Sequence, residues 1–433
     1  MEQVENDQSL RLRIGIFTDG WEPIISGIVT SVRGLAAALG AVGHHVTVIA
    51  PQMPGQQPDP SVVRIRSLPY FAQPEYRMVL PPSPRKLLQF KAMNLDVMHT
   101  HGIFLPTMVL ALARALRVPL VHTYHTRMRD YVHQYPGYAT LGWLAGDDRW
   151  YVRRSKPGRR FTRVFRRKLN QNAIAFAAGF DVWYANRCQH IITPSQAMAK
   201  ELEEMGVKTP ISVIPNGIDL ENLLRPQADP YPAFGVPHDA LRLLTVCRLD
   251  LAKSIDELLH RFARIQAAIP EAHLTIVGDG PIRHELESMC VSLGIRDRVV
   301  FCGYIPSKDI GAFYQHARLF LFASVSETQG LVALEATACG LPVVARADMG
   351  VTSCVLDGET GFLVDPNDVE AFVDRALNLL QDPALHQRFA TAGRDWVKLE
   401  AGFDLMADRV LEVYRRTFND YRAEHPTLAV KTS

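Results

Sequence analysis

Hydrophobic residues in the first fifty positions follow two spacings that predict a strand, a helix and a second strand. The run RIGIFTD (13–19) is apolar enough for a buried strand, and a loop containing Gly27 follows it. HVTVIAP (45–51) reads as the next strand. Between the strands, four aliphatic residues recur at helical spacing: Ile28, Val32, Leu35 and Leu39. This βαβ pattern predicts a parallel sheet.

The same alternation continues along the chain in two series. The first series adds strands at 95–101 and 118–126, with a helix near 106–116 between them. The second has strands at 241–247, 273–280, 298–304, 319–324 and 342–346. The predicted fold class is therefore α/β, with two doubly wound, Rossmann-like domains that face each other across a cleft lined by strand-end residues.

A stretch with the composition of a linker separates the two series. Residues 220–239 contain four prolines. We expect an N-terminal domain of residues 1–219 and a C-terminal domain of residues 220–402. A last helix, about 403–433, is expected to pack back on the first domain, because four residues lie on one face of it: Met406, Val410, Val413 and Tyr414.

Composition excludes several classes of protein. The chain has 433 residues, of which 47% are hydrophobic and 21% charged, so it is globular rather than disordered. A formal net charge of only +2 argues against a general nucleic-acid binder. Six scattered cysteines without a C-x-x-C pair indicate a reducing compartment. With a polar first ten residues and no apolar run of membrane-spanning length, we expect a cytoplasmic protein.

One segment is strongly basic. Residues 149–168, within a predicted insertion at 140–180, contain ten Lys or Arg and no acid, interleaved with aromatic and aliphatic side chains. This composition suits an anionic membrane surface better than nucleic acid, because no stacking platform or recognition motif accompanies it. The residues expected to contact a membrane or a lipid acceptor are Trp150, Arg153, Arg154, Arg160, Arg163, Arg166 and Arg167.

The stretch SVSETQGLVALEATACGLPVVA (324–345) contains two glutamates eight positions apart, Glu327 and Glu335. If a helix begins near Gly330, its free N–H groups around Leu331 can bind a pyrophosphate. Glu327 can then meet sugar hydroxyls on one side, and Glu335 can meet ribose hydroxyls on the other. Two solvated surface carboxylates are the alternative, but the preceding strand and the following Gly-Leu-Pro turn favour a binding site.

Cations and glycines follow other predicted strands. Arg248 and Lys253 come after LRLLTVC, where two cations can clamp a diphosphate, although exposed surface charges are the commoner case. Gly27 allows close backbone approach to a phosphate, and Gly278 and Gly280 in VGDGP allow approach to a nucleotide. Ordinary tight turns remain the alternative for all three glycines.

A histidine-rich region surrounds the strand at 118–126. His125 lies at its end, where a neutral imidazole can hydrogen-bond a sugar hydroxyl. Spacing alone does not choose it over its neighbours, which are His99, His101, His122 and His133. A metal site formed by these histidines is a more specific alternative, but strand-period spacing and the lack of a carboxylate partner disfavour it.

The Glu327–Glu335 stretch resembles the E-x7-E signature of retaining glycosyltransferases of family 4, which have the GT-B fold. SETQGLVALEA looks especially like the subgroup that glycosylates diacylglycerol. Further similarities occur in chain order: the Gly27 loop, HTYHT, RCQHIITPS, IPNGID, VCRLDLAKSIDELL and VGDGP. The resemblance covers roughly residues 12–415, and its motifs are specific jointly rather than singly.

The resemblance implies roles for individual residues. It selects His125 from the T-[YF]-H-T pattern, Arg248 and Lys253 as the donor-phosphate pair, Ile305 with Tyr304 as part of the base pocket, and Asp130 as an acceptor contact. Three positions depart from the family pattern: Ser26 and Cys247 replace glycines, and Ala252 replaces an acid.

We therefore expect a retaining hexosyltransferase that uses a nucleotide-sugar, UDP-glucose by preference, on a membrane lipid such as diacylglycerol or glycosyl-diacylglycerol. Transfer would be a front-face displacement without an obligatory cofactor; Mg²⁺ is compatible with the site but not predicted. We expect peripheral attachment to the inner face of the cell membrane. The alternatives are a soluble or polysaccharide-precursor acceptor, a nucleotide-sugar epimerase, and a non-catalytic nucleotide-sugar-binding protein at the membrane.

Overall fold

The computed structural model describes residues 11–22, 24, 26–56, 58–69, 77–102, 105–127 and 175–426. Its strands are β1 (Arg13–Thr18), β2 (His45–Pro51), β3 (Val62–Ile65), β4 (Ser67–Pro69), β5 (Arg77–Val79), β6 (Val97–His101), β7 (Leu120–Thr123), β8 (His190–Thr193), β9 (Ile211–Val213), β10 (Leu241–Val246), β11 (Ala272–Val277), β12 (Val299–Gly303), β13 (Leu319–Phe322), β14 (Val343–Arg346) and β15 (Gly361–Val364). Its helices are α1 (Gly27–Ala41), α2 (Pro84–Ala92), α3 (Pro106–Leu116), α4 (175–185), α5 (Gln196–Met205), α6 (Leu220–Leu224), α7 (Ile255–Ala268), α8 (Arg283–Ser292), α9 (Ile310–Gln315), α10 (Leu331–Ala338), α11 (Val369–Gln381), α12 (Pro383–Glu400) and α13 (Phe403–Glu424).

The chain divides into two compact units. The first runs to Pro194 and also includes Met198–Ile214 and the chain from Met406 onward; the second contains Ser195–Ala197 and Pro215–Leu405. Helix α13 thus begins in the second unit and continues in the first. Its four residues that share the predicted apolar face are all buried: Met406, Val410, Val413 and Tyr414.

The first unit is built on a seven-stranded sheet in which all neighbouring strands are parallel. The strand order is β3-β2-β1-β6-β7-β8-β9, and β4 and β5 form a separate antiparallel pair. Strands β1, β6, β7 and β8 are buried almost throughout, because helices cover both faces of a parallel sheet. The order reverses between β1 and β6, where ligands bind in doubly wound sheets.

The second unit repeats this plan with six parallel strands in the order β12-β11-β10-β13-β14-β15. Two apolar clusters form its core: one includes Leu258 and Phe262 of α7, the other Phe313 of α9 and Leu334 of α10. Here the order reverses between β10 and β13. Two doubly wound, Rossmann-like α/β units are therefore confirmed. Among the described residues, no helix is both long and apolar enough to cross a bilayer.

Candidate functional site

The order reversal in the second unit brings three predicted residues to one edge of its sheet. Arg248 and Lys253 follow β10, and Glu327 follows the adjacent strand β13. The two loops are joined by a hydrogen bond in which the Val325 N–H donates to the Ala252 carbonyl at 3.2 Å. The carboxyl ends of adjacent parallel strands meet at one edge, so this proximity follows from the topology.

Lys253 and Glu327 form an ion pair at the centre of this edge. Lys253 Nζ lies 2.5 Å from Glu327 Oε1, and the Ser324 hydroxyl donates to the same oxygen at 2.7 Å. Burial by itself raises the pKa of Glu327, but the Lys253 ammonium and the two hydrogen bonds outweigh it and lower that pKa. Burial also opposes the charged form of Lys253, but the Glu327 carboxylate outweighs it and raises the pKa of Lys253. Both groups are therefore charged at neutral pH.

Asp250 organises the loop that carries the two cations. Its carboxylate accepts from the Ala252 N–H at 3.1 Å at the start of a short 3₁₀ turn, Leu251–Lys253. Asp250 Oδ2 also lies 3.7 Å from Arg248 Nε, and the Arg248 side chain is 39% exposed. Arg248 thus lies in the same loop as Lys253, and its side chain is partly exposed.

Helix α10 begins where the sequence predicts it, directly after Gly330. Gly330 has φ +96°, a left-handed conformation that favours glycine, and no side chain caps the helix. The N–H groups of Leu331 and Val332 have no acceptor within the helix, as in any first turn. Such N–H groups, together with the dipole of a helix, can bind an anion.

Glu335 lies in the second turn of α10 and is half-buried. The Tyr314 hydroxyl donates to Glu335 Oε2 at 2.8 Å. Burial raises the pKa of Glu335 to about 7, although this hydrogen bond opposes the rise. The carboxyl group therefore titrates near neutral pH, unlike Glu327.

Gln329 is a buried polar residue that sequence reasoning missed. Its Oε1 accepts from the Asn216 side-chain amide at 2.6 Å and from the Asn216 backbone N–H at 2.9 Å. Its own amide donates to the Asn216 carbonyl at 3.3 Å. These bonds tie the IPNGID segment to the residue before Gly330, which stabilises the approach to α10.

The structure gives a local reason for Gly278. A Cβ there would lie 1.8 Å from the Cys247 carbonyl oxygen, and φ is +129°. Glycine is therefore required at this position because the backbone of residue 278 packs directly against the carbonyl of Cys247. Ile305, two residues after β12, is half-buried against the core cluster that includes Phe313.

Gly27 and His125 belong to the first unit. Gly27 is the first residue of α1, and the Ser26 hydroxyl caps that helix by accepting from the Val29 N–H at 3.3 Å. Serine at the position of the usual first glycine is thus explained by helix capping.

His125 is one of three histidines in contact near the carboxyl ends of β6 and β7, and His122 lies on the other face of the sheet, where it contacts Thr100. His101 Nδ1 lies 2.7 Å from His125 Nε2, and His101 Nε2 lies 3.1 Å from His99 Nδ1. Burial lowers the pKa of His125 to about 3 and that of His122 to about 4. Within the described ranges, no three His, Cys, Asp or Glu side chains are arranged to hold a metal ion.

Several predicted residues lie outside the described residues: Asp130, Trp150, Arg153, Arg154, Arg160, Arg163, Arg166 and Arg167. The same holds for residues 140–174 of the predicted basic insertion, whereas residues 175–180 belong to α4.

Two protein-family models match the chain. One, described as Glycosyltransferase Family 4, matches residues 25–222, and the other, Glycosyl transferases group 1, matches residues 232–396. Together they span both units and include the Arg248–Lys253 loop, Glu327 and helix α10.

Similar proteins match over most of their length. The alpha-monoglucosyldiacylglycerol synthase of Acholeplasma laidlawii is 31% identical over 386 residues, covering 86% of this chain and 89% of that protein. The protein of the same name from Streptococcus pneumoniae is 30% identical over 362 residues, covering 81% and 75%. The sucrose-phosphate synthase of Thermosynechococcus elongatus shares the fold, with a TM-score of 0.70 at 24% identity over 94% of this chain and 99% of that one.

Proposed function

The chain belongs to family 4 of the glycosyltransferases and has their GT-B fold, and on this premise we propose that it glycosylates a membrane lipid with retention of configuration. The proposed donor is UDP-glucose, and the acceptor is diacylglycerol or glycosyl-diacylglycerol. One observation carries the proposal: two relatives named alpha-monoglucosyldiacylglycerol synthase are at least 30% identical over most of the chain. SETQGLVALEA, which resembles the same subgroup, supports it.

The Lys253–Glu327 pair supports a glycosyl donor that carries a diphosphate. In such a donor, one oxygen joins the β-phosphate to the anomeric carbon, so a cation for the phosphate and a carboxylate for the sugar must be neighbours. Lys253 and Glu327 meet this condition at 2.5 Å. In the proposed complex, the Lys253 ammonium also contacts the β-phosphate, while Glu327 accepts hydrogen bonds from sugar hydroxyls.

The proposed reaction is a displacement on one face of the sugar. The acceptor oxygen bonds to the anomeric carbon on the face from which the phosphate oxygen leaves, and that phosphate oxygen takes the acceptor's hydroxyl proton. Arg248, Lys253 and the first turn of α10 stabilise the departing diphosphate. Glu335 accepts from the ribose hydroxyls, and His125 binds a sugar hydroxyl. These charges neutralise the diphosphate without requiring a metal.

A lipid acceptor requires the protein to meet a membrane surface. The ten basic residues of 149–168 support attachment to anionic lipid. In α4, which follows in the chain, Phe176 is 77% and Trp183 39% exposed, so apolar side chains accompany the basic segment. We propose peripheral attachment through this region.

A product assay tests the proposed function. The protein is incubated with radiolabelled UDP-glucose, UDP-galactose or GDP-mannose and with vesicles that contain diacylglycerol or glucosyl-diacylglycerol. We expect a glucolipid product from UDP-glucose, with an α-anomeric linkage by NMR. A β-linked product would overturn retention. Transfer only to soluble acceptors would overturn the lipid acceptor, and donor binding without transfer to any acceptor would leave a binding protein.

A further inference from the structure

A tyrosine and three histidines of the first unit form a continuous chain of contacts. Tyr414 Oη lies 2.6 Å from His99 Nδ1, and His99 Nδ1 lies 3.1 Å from His101 Nε2. The second nitrogen of His101, Nδ1, lies 2.7 Å from His125 Nε2. Tyr414, His99 and His101 are fully buried. The contacts therefore connect the last helix, α13, to the histidine that the proposed function assigns to the sugar.

The three imidazoles are neutral at physiological pH. Burial holds the pKa of His99 and of His101 well below the ordinary value of 6.5, and it lowers that of His125 to about 3. A neutral imidazole has one N–H and one bare nitrogen. Where two such rings meet nitrogen to nitrogen, an N–H must face a bare nitrogen, so the tautomer of one ring determines that of the next.

Two hydroxyls compete to set the first tautomer. Besides Tyr414 at Nδ1, His99 contacts Thr123 Oγ1 through Nε2 at 2.7 Å. A phenol is a stronger hydrogen-bond donor and a weaker acceptor than an aliphatic alcohol, because its oxygen lone pair is delocalised into the ring. Tyr414 therefore donates to the bare Nδ1 of His99, and the His99 Nε2–H donates to Thr123.

The remaining tautomers follow in order. His101 Nε2 faces the same lone pair of His99 Nδ1 that accepts from Tyr414, so it carries a hydrogen and shares that acceptor with the phenol, and His101 Nδ1 is bare. His125 Nε2 then carries its hydrogen and donates to His101. We propose that Tyr414, acting through His99 and His101, is a positioning residue that holds His125 in the Nε2–H tautomer, so that His125 binds its ligand as a hydrogen-bond acceptor at Nδ1. That the ligand at Nδ1 is a hydroxyl donor rests on the proposed function, whereas the assignment of the His125 tautomer does not.

Nitrogen NMR of the whole protein, labelled with ¹⁵N-histidine, tests the tautomer directly. The chain has fifteen histidines, and loss of one signal set in His125→Asn assigns His125. We expect a protonated Nε2 and a bare Nδ1 in the wild type. In Tyr414→Phe, the phenol no longer favours a bare His99 Nδ1, so Thr123 can donate to His99 Nε2 and the population of His125 that is protonated at Nδ1 should rise.

Tyr184→Phe is the matched control, because Tyr184 is a buried tyrosine whose hydroxyl contacts Thr100 Oγ1 at 2.9 Å, outside this chain. It should leave the His125 signals unchanged. A wild-type His125 protonated at Nδ1 overturns the proposal even if Tyr414→Phe does not fold, and an unchanged tautomer in folded Tyr414→Phe does so too. If the tautomers shift as expected but the wild type transfers no sugar, the proposed role of Tyr414 stands and the proposed function fails. If both hold, Tyr414→Phe should lower kcat about tenfold while Tyr184→Phe does not.

Discussion

Lys253 and Glu327 are 74 positions apart in the chain, yet their charged atoms are 2.5 Å apart. The reversal of strand order between β10 and β13 makes this contact, since the two residues follow strands that are neighbours in the sheet. Each charge keeps the other ionised in a site where burial opposes both.

Replacing Lys253 by alanine should remove both the proposed phosphate contact and the partner of Glu327. We expect kcat to fall by about 10²–10³-fold, the usual effect of losing one group that stabilises a developing anion. Without the ammonium, burial should raise the pKa of Glu327. The measurement is sugar transfer at saturating donor across a range of pH.

Lys398→Ala is the control for this substitution, because Lys398 is an exposed lysine on α12. It should transfer at the wild-type rate. If Lys253→Ala also kept wild-type kcat, Lys253 would have no part in stabilising the leaving group.

Glu335 should make stability depend on pH near neutrality. The folded protein keeps the Glu335 proton up to a pKa of about 7, whereas the unfolded chain releases it near 4.5. The folded state thus binds more protons in this window, so the free energy of unfolding contributed by Glu335 falls as pH rises through it. The loss is at most about 3.5 kcal/mol, since the two pKa values differ by about 2.5 units and one unit corresponds to about 1.4 kcal/mol.

Urea denaturation at about pH 5 and about pH 8 measures how much the free energy of unfolding changes with the protonation of Glu335. We expect Glu335→Gln to lose less stability than the wild type between the two pH values. Glu359→Gln, at an exposed position, should behave like the wild type. Parallel pH profiles for wild type and Glu335→Gln would show that Glu335 is ionised throughout.

Gly278→Ala should be strongly destabilising because the new Cβ would lie 1.8 Å from the Cys247 carbonyl oxygen. We expect a loss above about 4 kcal/mol, the range of severe core defects. Gly294→Ala is the matched control: φ is also positive, at +71°, but no atom lies within 4 Å of the added Cβ. That change should cost only about 1–3 kcal/mol of backbone strain. Equal losses in denaturant unfolding would mean that the contact with Cys247 relaxes.

The basic segment should make vesicle binding depend on salt. Changing Arg153, Arg154 and Arg160 to glutamine should weaken binding to anionic vesicles by about 3 kcal/mol, at about 1 kcal/mol for each charge. Changing Arg225, Arg375 and Arg388, which are exposed in the second unit, should leave binding unchanged. Sedimentation with anionic and zwitterionic vesicles at low and high salt is the measurement. Equal weakening by both triple variants would point to net charge rather than to this segment.

Much of the fold could be predicted because buried parallel strands are continuous apolar runs. Strands β1, β2, β6, β10 and β13 lie where those runs occur. Helix α10 begins after Gly330 as predicted, because a glycine between a strand and an apolar helix marks the turn. By contrast, β15 and the helices α11 and α12 were not assigned, since short strands and mixed polar helices give weaker periodic signals.

The supporting residues of the candidate site could not be predicted. Ser324, Asp250, Tyr314 and Gln329 act through partners that only the folded chain brings near, as when Tyr314 meets Glu335. A polar residue in a loop has no periodicity that marks it. The close packing of Gly278 against the Cys247 carbonyl could not be predicted either, because the two residues are brought together only by the fold.

Helix α13 has a consequence for how the protein is made. The ribosome releases the N-terminal end of the chain first, but the first unit buries Met406, Val410 and Tyr414, which emerge after the whole second unit. The nascent chain therefore holds an incomplete apolar core while most of the remaining protein is synthesised. The unit that is translated first is the one that finishes folding last.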